Sequence, residues 1–496
     1  TIGALFEAGL EHGPHLVCCP KTAIDTVWRF EIERWTAELE RPHEVISYHG
    51  DLPKSQRAAA IDEFWNCMDD DWPVWFICTY TAVREGEEPD VEWASFTIDE
   101  YHRSGLPNAG GKRGTGSKFS NSVRDVKAER RYALSGTPMG GKPIKLWGGL
   151  HFLYPEQFRS KWNWAKAWLI IDQVYGGHKQ IGEVQAGRED EFYTSLAPYA
   201  LRRLRSEVLP QLPPAQWIDV EYDMTAKQAK QYKDMANKAE TLIEEENLTA
   251  LGILAEYTRL KVFADSYCDH MQEYTIKCEL CDGGGKSKGF SPDDPLAPPC
   301  PKCGGAGRLQ KFKPIPAPDE SGIWPVLMDK LAEQGIVPND MEGEGLAIVS
   351  SQFEEIVKVA HAYLNNKGIP AEILVGATDK AARDATQMHF RMDGKRGPDS
   401  PRVVCMTTTL GVGITLDLVE NVHILDETWV PDDQEQLADR AVNTSRMHQV
   451  GVYVYRAKGT VEQYIQETNI DKRKINKDIL DIRRNGFRAT MAAKHG

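Results

Sequence analysis

Short apolar runs of strand length recur along this chain, and stretches long enough for amphipathic helices separate them. "HLVCCP", "HEVISYHG", "PVWFICTY", "SFTIDE" and "RYALSGTP" fall early, and "GLAIVSSQ", "AEILVG", "RVVCMTTT", "VHILDE" and "VYVYRA" fall late. Apolar runs spaced by helical segments predict parallel β-α-β units. Between about residues 161 and 266 the alternation stops and the pattern reads as helices, "TAKQAKQYKDMANKAETLIEEEN" among them, joined by "VLPQLPPAQ". A Gly/Pro-rich segment with two CxxC pairs comes next, and alternation resumes after "KPIPAPDESG". The predicted fold is α/β: two parallel-sheet lobes with a helical region and a small cysteine-bearing insertion between them.

Composition changes this picture little. The 496 residues suffice for two to four domains. Hydrophobic residues make up 41% and charged residues 27%, which excludes wholesale disorder. No apolar run approaches the roughly 18 residues of a membrane span. Lys and Arg total 59 against 73 Asp and Glu, a net charge of −14, so a simple basic nucleic-acid coat is excluded. Local basic patches still exist, in "LRRLR" (Arg202, Arg203, Arg205) and in "DKRKINKDILDIRRNGFR" at 471–488. Either is compatible with a solvated helix face or a phosphate contact.

Ten cysteines are too few for a disulfide scaffold of this length, and Cys18, Cys19, Cys78 and Cys405 sit in apolar runs as small core residues. Four others differ. Cys278 and Cys281 in "CELCDGGG" are followed, after eighteen residues, by Cys300 and Cys303 in "CPKCGGAG". The intervening "SPDDPLAPP" cannot form a core, so a metal ion is the natural organiser. Four thiolates on two tight turns suit structural Zn²⁺, with a redox dithiol or chance spacing as alternatives. Both halves fit CxxCxGxG and resemble the zinc module of DnaJ-type chaperones; a RING-type site needs about eight ligands. Lys277, Lys286, Lys288, Lys302, Arg308, Lys311 and Lys313 make the segment locally basic, as a DNA contact or a passive spacer.

The strand "SFTIDE" runs into two carboxylates and then a histidine. At the C-terminal edge of a parallel sheet, Asp99 could hold Mg²⁺ and Glu100 could polarise an attacking water in phosphoanhydride hydrolysis. Taken singly, this tetrad could equally be a solvent-facing strand end. Its company includes "LSGTP" (134–138), "LWGGLHFLYPEQF", "SSQF" (350–353), "TTTLGVGITL" (407–416) and "LDETWVPDDQEQLADRA" (425–441). In this order the segments resemble the helicase motifs of Swi/Snf-type superfamily 2 DNA translocases. "LVCCPKTAIDTVWRFEIERW", "ICTYTAVR" and "PYALRRLRSEVLPQLPP" resemble further segments of that family.

The resemblance implies two RecA-like lobes and a set of roles. Asp99 and Glu100 match the magnesium-binding and water-activating pair, and His102 with Ser135 and Thr137 matches the coupling of nucleotide state to DNA grip. Gly411 and Gly413 match a loop close to the nucleotide cleft. Arg440 and Arg446 match the arginines that reach the γ-phosphate, although "DRAVNTSRMHQ" carries about three extra residues before Arg446. Lys21, Thr79, Thr407, Thr408 and Trp429 match positions facing DNA. The phosphate-cradling GxxxxGK[ST] does not occur in the chain; "GKRGTGSK" (111–118) has lysine and serine reversed and comes after the acidic strand. "TIGALFEAGL" resembles the family's stretch immediately after Gly-Lys, so Thr1 is expected to be the P-loop threonine, with the Gly-Lys preceding it and this chain alone poorly active on ATP.

The expected division is lobe 1 at 1–205, a helical connection at 206–273, a zinc-binding insertion at 274–313, lobe 2 at 314–470 and a basic tail at 471–496. The expected function is an ATP- and Mg²⁺-dependent motor on DNA, tracking duplex through its phosphate backbone, with structural Zn²⁺ in the insertion. A catalytically silent DNA-binding scaffold and a single-strand unwinding helicase are the rivals. An intracellular setting is expected, the cytoplasm of a bacterial or phage-infected cell first, with a nucleus left open.

Overall fold

The computed structural model describes residues 13–467 except 38, 40–42, 110–115, 137, 140–141, 174–178, 202–208, 246–249, 279, 282, 287–297, 341–342, 393, 395, 398, 412–413, 430, 442–448 and 464. Thr1, Thr137, Gly413, Arg446, the Arg202–Arg203–Arg205 cluster and the basic tail lie outside the described residues. No helix among the described residues is long and apolar enough to cross a membrane.

The first lobe is built on five parallel strands: β1 (His15–Cys19), β2 (Glu44–Tyr48), β3 (Val74–Thr79), β4 (Trp93–Ile98) and β5 (Ala128–Ala133), in the order β2-β3-β1-β4-β5. All five predicted early strands are present. β1 and β3 read as continuous apolar runs because both of their faces are covered. Phe64, Phe76, Phe96 and Trp93 fill one side, each burial stabilising by about 1.5–3 kcal/mol.

The second lobe is a six-stranded parallel sheet. It contains β11 (Ala347–Ser351), β12 (Ala371–Leu374), β13 (Val403–Thr407), β14 (Asn421–Ile424) and β15 (Gly451–Ala457), the five late strands, in the order β12-β13-β11-β14-β15. Its sixth member, β8 (Gln216–Tyr222), pairs with β15 over seven residues and comes from the segment expected to be a helical connection. That expectation is corrected in a second place. A hairpin of β6 (Leu169–Gln173) and β7 (Lys179–Val184) interrupts the region read as helices. Two long helices, Ala226–Glu245 and Ala250–Asp265, do come after β8.

The cysteine segment sits at the end of an antiparallel ribbon, β9 (Cys268–Lys277) against β10 (Arg308–Pro316). The root of the ribbon is tied to the second lobe's flank. Gln231 bonds both backbone groups of Cys268, at 2.8 and 2.6 Å, and Ser321 Oγ accepts from Tyr267 N at 2.8 Å.

The "LWGGLHFL" stretch forms helix α1 (Lys145–Leu153), which lies on the turns after β4. A Cβ at Gly148 would stand 2.0 Å from the Leu106 carbonyl oxygen, so only glycine permits this approach. Replacing Gly148 by Ala is expected to destabilise the first lobe by about 1–3 kcal/mol. A thermal melt of the variant unchanged from wild type would refute that packing.

Candidate active site

β4 ends at a turn that holds Asp99 and Glu100 at the carboxyl edge of the first sheet, the edge at which parallel sheets bind ligands. The turn is pinned from several sides. Asp99 N donates to Cys18 O at 2.9 Å, Tyr101 N donates to Leu134 O at 3.0 Å, and the Tyr80 hydroxyl donates to Asp99 O at 2.6 Å. Glu100 adopts φ 44°, ψ 44°, left-handed backbone that a residue with a Cβ takes only when its surroundings impose it.

The indole Nε1 of Trp28 donates to Asp99 Oδ2 at 2.9 Å, and Glu100 N donates to Asp99 Oδ1 at 2.9 Å. Trp28 belongs to a π-helical turn, Ile24–Arg29, a geometry that recurs at functional sites. Burial raises the Asp99 carboxyl above its ordinary range, against the pull of Trp28, the Glu100 amide and Arg440. Burial raises Glu100 too, with Asp99 adding to it and Arg103, Arg440 and the Gly136 amide opposing.

His102 Nδ1 lies 2.7 Å from Ser135 Oγ and 3.3 Å from Glu100 Oε2. Burial, helped by Arg103 and Lys145, holds this imidazole down at about 4, so at neutral pH the approach to Glu100 is not an ion pair. The neutral ring instead links the acidic turn to the segment after β5.

The second lobe contributes helix α2 (Pro431–Ala441), with Arg440 in its last turn. Burial lowers the Arg440 guanidinium from its ordinary value, and Glu100 is the leading charge that opposes this, with Asp439 after it. Among the described residues, Nε of Arg440 is buried without a hydrogen-bond partner, and Oε2 of Glu100, 3.3 Å from the neutral His102 ring, has no hydrogen bond either. Buried polar atoms in this condition are costly unless a further group completes them. A polyphosphate with a divalent cation fits: Asp99 would hold the cation, Glu100 would face the attacking water and Arg440 would hold the anion. The lobes also touch directly, Arg103 Nη2 donating to Asp433 Oδ1 and to Gln436 Oε1, both at 2.9 Å.

The other sequence-predicted residues are spread along the two sheets' carboxyl edges. Lys21 is exposed and pairs with Asp51. Thr79 caps the helix Tyr80–Glu85, accepting from Ala82 N at 3.4 Å. Thr407 and Thr408 are buried at the end of β13, and the Thr408 hydroxyl lies 3.0 Å from Ser350 Oγ. Gly411 closes the 3-10 turn Thr408–Gly411. Trp429 packs edge-on against Tyr257, ring centroids 6.2 Å apart. Ser117, in the reversed loop, caps a short helix by accepting from Ser120 N at 3.1 Å. Sequence reasoning missed Trp28, Tyr80 and Arg103. Each lies inside or beside a motif quoted above, and reading outward from the tetrad would have reached Arg103.

A second strand, β14, also ends in an Asp-Glu pair, and its surroundings are opposite in kind. Asp426 accepts from Gln352 N at 3.0 Å and lies 3.4 Å from Lys261 Nζ, while Glu427 accepts from Arg456 Nε at 2.8 Å. All of these charged groups are buried and matched within the lobe. This acidic end is structural.

The four cysteines converge, one Sγ from each lying within 4.8 Å of the others. Cys278 and Cys300 Sγ are 3.9 Å apart and Cys281 and Cys303 Sγ 3.7 Å, against about 3.8 Å for thiolates ~2.3 Å from one tetrahedral zinc ion. The halves repeat each other: Cys278 N donates to Gly307 O at 2.9 Å and Cys300 N to Gly285 O at 2.8 Å. Gly285 and Gly307 have φ of +71° and +69°, and a Cβ on either would stand 2.3 Å from a carbonyl oxygen, which accounts for the final glycine of CxxCxGxG.

Comparison with known proteins agrees with this layout. Residues 1–272 match the SNF2-related domain and residues 328–445 the helicase conserved C-terminal domain. The SWI/SNF-related matrix-associated actin-dependent regulator of chromatin subfamily A member 1 of Mus musculus is 24% identical over 462 residues, covering 92% of this chain and 37% of that protein. The ISWI chromatin-remodeling complex ATPase ISW1 of Saccharomyces cerevisiae is 24% identical over 483 residues, covering 96% and 37%. The chain thus spans little more than a third of these relatives, at 37% of each. Among solved structures, the Sulfolobus solfataricus SWI2/SNF2 ATPase core in complex with dsDNA is 20% identical with a TM-score of 0.36, over 96% of this chain and 84% of that one.

The depressed His102 pKa gives a signed expectation. Burying a neutral ring contributes stability that is complete above the ordinary histidine range near 6.5 and is lost as pH falls toward about 4. Histidine ring NMR should place the His102 midpoint at about 4. A ring that is already protonated at pH 6 would contradict the described environment.

Proposed function

The chain belongs to the SNF2-related family, and we propose that it is the ATP-driven motor unit of a translocase acting on double-stranded DNA. The observation that carries this reading is the pair Asp99 and Glu100 on one lobe with Arg440 on the other, each side leaving a buried polar atom without a partner. Asp99, oriented by Trp28 and the Glu100 amide, would hold Mg²⁺. Glu100 accepts the proton of an attacking water or orients it, a task suited to a carboxyl raised by burial. Arg440, with Arg446 as its companion, supplies fixed positive charge where charge gathers on the γ-phosphate. Gly411, with Thr1 and Gly413 outside the described residues, is assigned to the nucleotide cleft by its match to the family's motifs. A Mg²⁺ ion held by Asp99 would supply charge that offsets the triphosphate.

Coupling runs through His102, Ser135 and Thr137, from the acidic turn to the segment after β5. Lys21, Thr79 and Trp429 form the track on which the phosphate backbone moves, so binding is expected to be sequence-tolerant and salt-dependent; Thr407 and Thr408, expected on the same track, are buried at the end of β13 and offer it no surface in this structure. The curated relatives' names describe chromatin-remodeling proteins; for this chain the proposal stops at a DNA motor. Structural Zn²⁺ on Cys278, Cys281, Cys300 and Cys303 holds the tip of the ribbon.

ATP hydrolysis by the full-length natural protein should rise with duplex DNA and fall by about 10²-fold or more in Glu100→Gln. A rise with single strands alone would favour an unwinding helicase, and no turnover under any condition a silent scaffold. Metal analysis should find about one zinc per chain, lost in Cys278→Ser/Cys300→Ser. Folded protein free of metal would remove the zinc assignment.

A further inference from the structure

Arg103 stands three residues after Glu100 and shares its turn. Its amide donates to Glu100 O at 2.8 Å, and Ser104 N closes the same 3-10 turn onto Tyr101 O at 3.1 Å. The Tyr101 hydroxyl donates to Pro138 O at 2.9 Å, and α1 packs on its ring at Gly149. Arg103 is therefore as firmly placed as the carboxylates, while its guanidinium reaches into the other lobe. One nitrogen, Nη2, donates to both Asp433 and Gln436 at 2.9 Å, and the Arg103 and Asp433 side chains are each 28% exposed.

The spacing on α2 gives this contact its meaning. Asp433, Gln436 and Arg440 are separated by three and then four residues, so they share one face of the helix. Leu437, Ala438 and Ala441 lie in the lobe's core. A grip on Asp433 and Gln436 thus fixes where the helix presents Arg440. Lys145, at the start of α1, adds a second lobe 1 cation facing Asp433.

We propose that Arg103 is a positioning residue, a latch between the lobes that seats α2 against the acidic turn and thereby aims Arg440 at Asp99 and Glu100. The proposal rests on the reading of this cleft as the ATP site. It assigns Arg103 no chemistry of its own. A latch of one ionic contact, partly open to water, is weak enough to break and re-form as the lobes move.

The test uses the full-length protein with fluorescent labels at exposed Asp62 on lobe 1 and Lys367 on lobe 2. Arg103→Ala should widen the label separation, Asp433→Ala should widen it less because Gln436 still accepts from Arg103, and the double variant should widen it no further than Arg103→Ala. Duplex-stimulated kcat should fall about tenfold in each with KM for ATP nearly unchanged, because aim and not ground-state binding is lost. Arg103→Lys, which keeps the charge and loses the planar fork, should recover part of kcat. Label separations unchanged by either substitution, or additive effects in the double variant, would overturn the latch. If the separations shift as expected while wild-type protein hydrolyses no ATP, the latch stands and the reading of the cleft falls.

Discussion

Two carboxylates held side by side in a partly buried cleft need positive charge close by, and that need organises this molecule. Burial raises the cost of ionising both, Asp99 adds to that cost for Glu100, and the cations that oppose it are the neighbouring Arg103 and Arg440 across the cleft. The strained Glu100 backbone, the Tyr80 hydroxyl, the Trp28 indole and the two-glycine helix all fix the turn that bears the pair. The rest of the second lobe can be understood as the scaffold that delivers one helix to it.

The second acidic strand end is the control that the molecule itself provides. β4 and β14 end in the same dipeptide at equivalent places in their sheets, yet Asp426 and Glu427 find Gln352, Lys261 and Arg456 inside their own lobe. Identical residue types are structural where the charges close locally and available for chemistry where they do not. The distinction lies in partners contributed by distant segments, so no inspection of the tetrapeptide could draw it.

β1, β3, β11 and β13 were legible because burial on both faces writes a continuous apolar run into the sequence, whereas the edge strand β5, "AERRYA", has no buried residue and met its predicted run only at its last three residues. β8 was not, since "QWIDVEY" is a polar edge strand paired with β15 more than two hundred residues away, and the helices after it dominate the local pattern. The β6–β7 hairpin was hidden in the same way. At the site, Asp99, Glu100 and Arg440 could be read from short motifs, and the cysteines from spacing. Trp28 could not, because its role depends on a π-turn bringing an indole to a carboxylate 71 residues on. Thr407 and Thr408 show the converse: their position is legible, but not that they are buried.

The ribbon β9–β10 is rooted through Gln231 and Ser321 in the flank of the second lobe. Ten residues at ~3.3 Å each make it a rod of ~30 Å. A turn about its root by ~15° would carry the cysteine-bearing tip through ~8 Å. A small angle at the root thus becomes a displacement of several ångströms at the periphery, a gain in amplitude supplied by leverage alone.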